Sequence, residues 1–280
     1  MQGKKELIKN LLIKNIHLFR CPICESQLCL QENSLMCEHH HLFDISKKGV
    51  VLLHKKYQKK IDEIYTKNLF INRRLFINEE FYLEVHEYIK DIIFDVGNNI
   101  QILDLGAGEC SHLKKIKGNQ THSSIGIDLS YDAISLATDY LANDILPICC
   151  DLYNLPFTDN VFDIVLNFLS PINSKEVSRV LKDNGLIIKI VPTSEYLKEL
   201  RNSLGLKEYQ KEDEVLENLT EHYSIVSTKR IETEKTLSKT SLQHLFYMTP
   251  MTSHNNIDNI ACLSLDKITI SLNVIVLKKK

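Results

Sequence analysis

A cluster of metal-ligating residues near the start of the chain restricts the fold of that end more than any other sequence feature. Cys21 and Cys24 are separated by two residues, and Cys37 follows after twelve more. Cysteines with this spacing can hold a metal ion from one tight turn, and a further cysteine and a histidine on a hairpin complete the thiolate-rich shell that zinc prefers. Three adjacent histidines compete for the fourth place: His39, His40 and His41. Four protein ligands leave no open position, so the spacing predicts a structural zinc ion.

The composition fits a chain that folds around a normal hydrophobic core in a reducing compartment. Of the 280 residues, 44% are hydrophobic. No apolar run approaches the roughly 18 residues that suggest a membrane-spanning helix. The amphipathic start lacks the apolar core and cleavage site of a signal peptide. Because the cysteines outside the zinc pattern show no disulfide framework, we expect a cytoplasmic protein.

Charge is divided unevenly along the chain. Residues 1–60 carry 11 Lys and Arg against 5 Asp and Glu, a net charge of +6, whereas the remainder carries 23 against 31, a net charge of −8. A basic small module attached to an acidic larger one indicates that the front end binds a polyanion. A lysine-rich face that is merely solvated explains the charge equally well, so the charge alone does not decide.

Apolar periodicity divides the chain into three regions. We expect a zinc-binding module over residues 1–58, a helical connector over 59–97 and an α/β domain over 98–280. In the last region short apolar strands alternate with helices, which is typical of a parallel sheet. Strands are predicted at 50–53, 100–105, 124–128, 145–149, 162–169, 186–191, 223–231 and 267–277. The final pair can form an antiparallel hairpin, so the pattern predicts a seven-stranded, Rossmann-like sheet.

The first strand of the α/β domain ends in a loop suited to cofactor binding. Asp104 is followed by Gly106, Gly108 and Glu109. Small residues let the backbone turn tightly at the carboxyl end of a strand, where α/β sheets bind ligands. Asp128 closes the second strand about twenty residues later, where a carboxylate can accept hydrogen bonds from both hydroxyls of a ribose. By themselves these residues are also compatible with a dinucleotide-dependent enzyme.

Two further features favour S-adenosylmethionine as the cofactor. Asp151 follows the third strand, and the sheet is predicted to end in the antiparallel hairpin. This series resembles the class I S-adenosylmethionine methyltransferases, in which the residue at the position of Asp151 usually contacts the adenine amino group. Cys110 departs from the pattern, because most methyltransferases have a third glycine there. A cysteine is tolerated if the position is right-handed helical and is strained if φ is positive.

The order of zinc module, basic segment and methyltransferase domain resembles the bacterial 23S rRNA guanine-N1 methyltransferases over almost the whole chain. That family's knuckle, Cys-Pro-x-Cys followed by Cys-x-x-x-His-x-Phe-Asp, is found here between Cys21 and Asp44. The further matches are Arg73 and Arg74 in an Arg-rich helix, Phe168-Leu169-Ser170-Pro171, Ile190-Val191-Pro192-Thr193 and Met248-Thr249-Pro250. The stretch Phe168-Leu169-Ser170-Pro171 corresponds to the family's fourth motif. This motif and the fifth are closer to the Gram-positive branch of the family, whose enzymes modify a guanine in the helix-35 hairpin of domain II. Methylation there is linked to macrolide response.

The resemblance implies ligands and a partner. Zinc is expected on Cys21, Cys24, Cys37 and His41, and S-adenosylmethionine against Tyr82, Gly108, Glu109 and Tyr196. The implied partner is 23S rRNA, with no membrane association and with a homodimer left open. The departures from the family are Cys110, Tyr196 where His is usual, and Val50 where the zinc-module strand usually has Tyr. The first two could weaken cofactor binding, and the third could alter RNA contact.

The chemistry of guanine sets the remaining requirement. Nitrogen 1 carries a proton, so methyl transfer needs a proton acceptor or an anion-stabilising contact as well as in-line positioning. The catalytic candidates lie at the carboxyl end of the fourth strand: Asn167, Phe168 and Ser170. Phe168 could stack on the base or belong to the strand core. No histidine or carboxylate stands out as the base.

Two other functions explain part of the sequence. A small-molecule methyltransferase accounts for the α/β domain but leaves the basic zinc module without a role. An inactive, zinc-containing rRNA-binding adaptor accounts for the front end and tolerates Cys110 and Tyr196. Binding of S-adenosylmethionine distinguishes the adaptor, and methyl transfer to 23S rRNA distinguishes the small-molecule enzyme.

The lysine cluster at the end of the zinc module tests which region binds RNA. Changing Lys55, Lys56, Lys59 and Lys60 together to Ala should weaken binding to 23S rRNA and flatten its salt dependence, because phosphate contacts release counterions. S-adenosylmethionine affinity should stay unchanged. Filter binding over a salt series measures the first effect, and calorimetry measures the second. Normal rRNA binding and methylation across the series would show that the cluster is only a solvated surface.

Overall fold

The computed structural model describes residues 3–54, 64–118, 120–207, 209–210, 212–252 and 265–280. The lysines of the basic cluster and one cysteine lie outside the described residues: Lys55, Lys56, Lys59, Lys60 and Cys262. No helix within the described ranges is long and apolar enough to cross a membrane.

The front of the chain folds into a helix and a small antiparallel sheet. Helix α1 spans Lys4–Asn15. Strands β1 (Leu28–Gln31), β2 (Ser34–Cys37) and β3 (Leu42–Asp44) follow in the spatial order β1-β2-β3. Because β2 ends at Cys37, the hairpin carries that cysteine back toward the preceding turn. The predicted small β module is therefore present.

The predicted strand over residues 50–53 is wrong. Val51 and Leu52 make only isolated bridges, and that of Leu52 is to Cys149 in the large sheet. Leu53 N donates a hydrogen bond to Cys149 O at 2.8 Å, and Cys149 N donates to Val51 O at 3.0 Å. The segment therefore lies along the edge of the large sheet and is held by that sheet.

Two helices connect the front module to the large sheet, as the apolar spacing predicts. Helix α2 spans Lys67–Asn78, and α3 spans Leu83–Val96. The α2 helix begins after Thr66, whose side-chain oxygen accepts a hydrogen bond from Leu69 N at 3.3 Å, as an N-cap residue does.

The large sheet contains seven strands within the described residues. They are β4 (Gln101–Leu105), β5 (Ser123–Asp128), β6 (Ile145–Cys149), β7 (Phe162–Phe168), β8 (Leu181–Pro192), β9 (Tyr223–Thr236) and β10 (Lys267–Lys279). Their spatial order is β6-β5-β4-β7-β8-β10-β9. Strands β4 to β8 are parallel, and β10 pairs antiparallel with both β8 and β9. This arrangement confirms the class I Rossmann-like fold with its terminal antiparallel hairpin.

The remaining helices connect these strands. They are α4 (Ser111–Lys117), α5 (Tyr131–Ala137), α6 (Ser174–Val180), α7 (Lys198–Ser203), α8 (Glu212–His222) and α9 (Lys239–Met248). Because β4, β5, β7 and β8 are parallel, the loops that follow them lie along one edge of the sheet. That edge is where an open α/β sheet binds its ligands.

The front module and the large sheet share one hydrophobic core. Leu12 of α1 and Phe19 are fully buried in the same cluster as Leu103 of β4 and Ile125 of β5. The ring centroid of Phe19 lies 5.1 Å from that of Phe157. The predicted limits of the three regions stay predictions, and the packing between the first and the last of them is continuous.

Candidate active site and metal centre

Four donor atoms converge in the front module. The three sulfurs and the imidazole nitrogen lie within 4.8 Å of one another and belong to Cys21, Cys24, Cys37 and His41. Cys37 Sγ is 3.6 Å from Cys24 Sγ and 3.4 Å from His41 Nδ1. Three thiols and one imidazole form the donor set of a closed tetrahedral zinc site. The residues present therefore fit a structural zinc ion.

The structure distinguishes between the three adjacent histidines. His39 is exposed, and its Nδ1 lies 3.9 Å from the Glu38 carboxylate. His40 is also exposed and occupies the turn at a φ of 59°. Cys37 N donates a hydrogen bond to His41 O at 3.2 Å, so the turn brings His41 back beside Cys37.

A cavity of about 870 Å³ opens at the carboxyl ends of the central strands. Seven of the predicted cofactor residues line it: Tyr82, Asp104, Gly106, Glu109, Asp128, Asp151 and Tyr196. Among the catalytic candidates, Phe168 and Ser170 line it and Asn167 is fully buried. Ligand pockets typically measure roughly 300–1,000 Å³. The cavity can therefore hold a nucleoside cofactor together with a base.

Hydrogen bonds fix the glycine loop to Asp128. The Asp128 carboxylate accepts from Gly108 N at 2.9 Å and from Ser130 N at 2.8 Å. Each carboxylate oxygen has a further lone pair, so the group keeps acceptor capacity for a ribose. A Cβ on Gly106, at a φ of 68°, would lie 1.9 Å from Ser170 Oγ. Only glycine fits there, and the loop packs directly against the residues that follow β7.

Asp104 presents an unsatisfied oxygen at the same edge of the sheet. The residue is 2% exposed, and its Oδ1 has no hydrogen-bond partner in the described part of the chain. Burial, together with the charge of Asp128, raises the pKa of Asp104 to about 7. A buried acceptor without a partner beside a second carboxylate is suited to a cationic ligand group. The α-ammonium of S-adenosylmethionine is such a group, so the residues present fit this cofactor.

The backbone of Cys110 is left-handed, which is the strained one of the two possibilities that the sequence left open. Its φ is 64° and its ψ is 17°, directly before α4. For a residue with a side chain the left-handed region costs roughly 1–2 kcal/mol. The sulfur is packed where a Cβ on Gly126 would lie only 2.5 Å away. Cys110 therefore fills the space that Gly126 leaves open.

Tyrosines from two parts of the chain meet at the cavity wall. Tyr82 Oη and Tyr196 Oη are 2.8 Å apart, and both side chains belong to the cavity lining. The tyrosine that replaces the usual histidine thus still takes part in a hydrogen bond. Burial raises the pKa of both phenols, so they remain neutral donors and acceptors.

A stacked pair of rings limits what Phe168 can do. Its ring lies 3.7 Å from that of His112, centroid to centroid, with 15° between the planes. His112 Nδ1 is 2.9 Å from His86 Nε2. Burial lowers the pKa of His86 to about 3 and that of His112 well below its ordinary value, so both imidazoles are neutral. One face of Phe168 is covered by His112, and the Tyr82 ring also packs against Phe168 at 5.8 Å between centroids, so the side chain is 8% exposed and has little free surface for a ligand.

A lysine that the sequence analysis overlooked ties β7 to β8. Lys189 Nζ donates hydrogen bonds to Asn167 Oδ1 and, at 2.5 Å, to Ser170 O. Asn167 Nδ2 donates to Leu105 O at 3.0 Å and to Pro171 O at 3.1 Å. Because its amide is occupied on both sides, Asn167 positions the fourth-motif loop.

The two arginines of α2 differ in their surroundings. Arg74 donates to Glu109 at 3.1 Å and to Asp139 at 2.7 Å. Arg73 lines the cavity, with its guanidinium carbon 5.5 Å from the centroid of the Phe70 ring. Arg74 therefore neutralises Glu109 within the protein, and Arg73 is the arginine that faces a ligand.

Val50 lies in the core. It is 1% exposed and packs with Ile134 and Cys149. The Val50 side chain itself does not reach the surface, and the expectation that replacing the usual Tyr alters RNA contact stays a prediction.

Comparison with known proteins accounts for both parts of the chain. Residues 19–59 match the zinc-ribbon family described as "RlmA, N-terminal", and residues 103–189 match the family described as "Methyltransferase domain". YxjB of Bacillus subtilis strain 168, assigned as a 23S rRNA (guanine-N(1)-)-methyltransferase, is 32% identical over 92% of this chain and 96% of its own. The 23S rRNA (guanine(748)-N(1))-methyltransferase of Streptomyces fradiae is 25% identical over 88% of this chain and 89% of its own.

The fold is also found in a solved structure. A chain of the complex between the Haloferax volcanii Trm112 methyltransferase activator and a methyltransferase superposes with a TM-score of 0.53 at 15% identity. The match covers 79% of this chain and 99% of that one.

Replacing Cys24 with Ser should release the zinc ion. The loss of affinity should exceed the roughly 10- to 100-fold that removal of an outer-shell partner costs. The thermal unfolding temperature of the whole protein should fall too, because the front module shares its core with the large sheet. Metal analysis and calorimetry measure the two effects. Cys29→Ser, at an exposed cysteine outside the cluster, should keep one zinc per chain. Full zinc content in Cys24→Ser would overturn the ligand assignment.

Two substitutions at Cys110 test the backbone strain. Cys110→Gly and Cys110→Ala both remove the sulfur, but only Ala keeps a Cβ at positive φ. We expect the Gly variant to be more stable than the Ala variant by about 1 kcal/mol, the reverse of the order in a helix interior. Denaturant unfolding gives both free energies. An Ala variant as stable as the Gly variant would contradict the left-handed conformation.

Asp128→Ala should weaken S-adenosylmethionine binding. Loss of charge-assisted hydrogen bonds costs about 1.5–3 kcal/mol, or roughly ten- to a hundredfold in affinity. Calorimetric titration measures the dissociation constant. Asp128→Asn, which keeps an oxygen for the glycine loop, should lose less affinity, and Asp132→Ala, at an exposed residue of α5, should lose none. An unchanged dissociation constant in Asp128→Ala would show that the cofactor lies elsewhere.

Proposed function

The chain belongs to the family of 23S rRNA (guanine-N1-)-methyltransferases, and we propose that its target guanine lies in the helix-35 hairpin of domain II. The enzyme transfers the methyl group of S-adenosylmethionine to N1 of a guanine in 23S rRNA. The proposal rests on one observation: a zinc ribbon packs against a sheet whose cavity extends from Asp128 to the fourth motif. The Streptomyces relative, named for guanine 748, and the Gram-positive form of the fourth and fifth motifs support the position.

The proposal assigns side chains to the two bound groups. Zinc is held by Cys21, Cys24, Cys37 and His41. Asp128 accepts hydrogen bonds from the ribose of S-adenosylmethionine, Asp151 from its adenine amino group and Asp104 from its α-ammonium group. Tyr82, Gly106, Gly108, Glu109 and Tyr196 complete the cofactor site. When bound, S-adenosylmethionine supplies an electrophilic methyl group on its sulfonium.

The substrate half of the cavity lies beside the fourth motif. The guanine lies against the exposed part of Phe168, with the Ser170 hydroxyl and the Arg73 guanidinium in the same cavity lining. A guanine must be unpaired or extruded from its stack to enter, because its N1 is otherwise occupied in pairing. A hairpin loop supplies such a base at little cost.

The front module provides the RNA path in this proposal. His54 follows the segment that pairs with Cys149. Burial lowers the pKa of His54, and the negative charge of the nearby Asp151 carboxylate partly opposes this effect. The described chain thus reaches the cavity edge where the sequence continues with Lys55 and Lys56. Because the substrate is ribosomal RNA, we also propose a cytoplasmic location.

A homodimer belongs to the proposal as well. Strand β9 lies at the outer edge of the large sheet and exposes Ile225 and Val226 at 41% and 53%. An open edge strand with exposed apolar side chains is a ready surface for pairing with another chain. Light scattering on the purified protein measures the oligomeric state.

The experiment that tests the target is methylation of 23S rRNA lacking the modification, followed by primer extension. A methyl group on N1 blocks base pairing, so reverse transcription should stop at one guanine of helix 35. Changing that guanine to adenine should abolish the stop. The Asp128→Ala enzyme serves as the control and should give a stop of at most roughly a tenth of the intensity at limiting cofactor.

The outcomes separate the alternatives. A single stop outside helix 35 would refute the target but not the reaction. Binding of rRNA without any stop would point to the inactive adaptor, and methyl transfer only to small molecules would refute the RNA substrate.

A further inference from the structure

Lys189 is an amine buried in an apolar strand. It lies in β8, is 5% exposed and belongs to the cavity lining. Its neighbours in the strand, Ile188 and Ile190, are fully buried. Burial of a charge without an opposite charge is costly, so such a group tends to become neutral instead. The hydrogen-bond partners described for it are neutral oxygens, those of Asn167 and Ser170.

The contacts of Lys189 match a neutral amine. A neutral amine has two N–H groups and one lone pair, whereas an ammonium has three N–H groups. Two donors are used, one toward Asn167 Oδ1 and one toward Ser170 O. In the neutral form the third direction therefore carries the lone pair, which can accept a proton.

The position of Lys189 is on the substrate side of the cavity. Lys189 pairs in register with Asn167, whose strand β7 ends in the fourth motif. The spatial order β5-β4-β7-β8 puts the cofactor carboxylates of Asp128 and Asp104 on the first two strands. A guanine that contacts the fourth motif at Ser170 is thus next to the Lys189 amine, because that amine donates a hydrogen bond to Ser170 O.

We propose that Lys189, as a neutral amine, accepts the N1 proton of guanine during methyl transfer. The proposal rests on guanine-N1 methylation as the reaction. N1 forms a bond to the methyl carbon while its bond to hydrogen breaks, and the electrons of the carbon–sulfur bond return to sulfur. The proton moves to Nζ. The products are N1-methylguanine, S-adenosylhomocysteine and a lysine ammonium, which carries the positive charge of the former sulfonium and later loses its proton to water.

Other groups at the cavity are less suited to this role. Glu109 accepts from Arg74 and from Ser111 Oγ, at 3.1 and 2.6 Å. His112 is stacked on Phe168 and hydrogen-bonded to His86. Asp128 is occupied by two backbone N–H groups, and Asp104 lies on β4 with the cofactor loop.

The electrostatic surroundings make the neutral form of Lys189 accessible near neutral pH. Burial lowers its pKa from 10.5 to about 8, so the fraction of neutral amine rises with pH through that value. A base is most effective when its pKa lies near the operating pH. The register partners Asn167 and Ile275, on β7 and β10, carry no charge. The charged and titratable groups that share the cavity come from other parts of the chain: Tyr65, Arg73, Tyr82, Asp104, Glu109, His112, Asp128, Asp151, Tyr153, Tyr196, Arg201 and Tyr209.

The test compares Lys189→Arg with Lys189→Met in single-turnover methylation of whole 23S rRNA, read as N1-methylguanine formed. Arg keeps both donors and the positive charge but cannot accept a proton at these pH values. Met keeps the length without donors. General-base catalysis typically contributes roughly 10²- to 10⁴-fold, so both variants should be at least about 100-fold slower. Lys182→Arg, in the same strand at a half-buried lysine that pairs with Asp163 at 2.8 Å outside the cavity lining, is the matched control and should retain the wild-type rate.

The pH dependence distinguishes a base from a residue that only positions the loop. The wild-type rate should rise with pH and level off above about 8. The rate of Lys189→Met should rise in proportion to hydroxide without levelling off. Calorimetry should give S-adenosylmethionine dissociation constants within about threefold of wild type for both variants, which also shows that they are folded.

Amine rescue provides an independent measurement. Methylamine added to Lys189→Ala should restore part of the rate, whereas guanidinium should not. A Lys189→Arg enzyme within threefold of the wild-type rate, an unchanged pH profile in Lys189→Met or equal rescue by guanidinium would each overturn the proposal. Absence of N1-methylguanine with the wild-type enzyme would instead refute the reaction itself, and with it this proposal.

Discussion

The packing of the zinc ribbon against the edge of the large sheet determines how the whole chain is arranged. The segment that follows the ribbon pairs with Cys149, the last residue of edge strand β6, and Phe19 packs against Phe157 in a core common to both. An uncovered edge strand is prone to pair with other chains, so this contact protects the sheet as well as anchoring the ribbon. The zinc site is therefore a support for the catalytic domain, and the end of the ribbon at residues 51–53 is held against the sheet that carries the cavity.

Two hydrogen-bonded networks then shape the two halves of the cavity. On one side the Asp128 carboxylate holds the glycine loop through Gly108 N, and on the other side Lys189 holds the fourth motif through Ser170 O. The halves touch where Ser170 fills the space above Gly106. A shift in either loop would therefore displace the other. This contact therefore couples the position of the cofactor half of the cavity to that of the fourth-motif half.

Much of this arrangement could be predicted from sequence, because it depends on local pattern. Ligand spacing pointed to the three cysteines, the family resemblance pointed to His41 among the three adjacent histidines, and strand periodicity predicted the seven-stranded sheet. What could not be predicted depends on contacts between distant residues. The sequence could not show that residues 50–53 make only single bridges, because one of the partners, Cys149, is nearly a hundred residues away. Likewise nothing local indicates that Arg74 turns inward to Glu109.

Lys189 could be noticed in the sequence, but its role could not be inferred from the sequence alone. A lone lysine between isoleucines in a buried strand is a visible anomaly in the sequence, but its meaning depends on oxygens from another strand. The positive φ of Cys110 is of the same kind. The missing third glycine was evident, whereas the sign of the dihedral angle required the structure.

Cys110 and Gly126 cannot change independently in evolution. The sulfur of one occupies the place where the other would carry its Cβ, at 2.5 Å. A lineage that still has glycine at the first position avoids this clash at the second, where a Cβ would then meet Ala107 Cβ at 3.2 Å, whereas one that has acquired the cysteine must keep glycine there. The order of substitutions along such a lineage is therefore constrained. A homologue with a side chain at both positions would need a shifted glycine loop, and with it a different cofactor geometry.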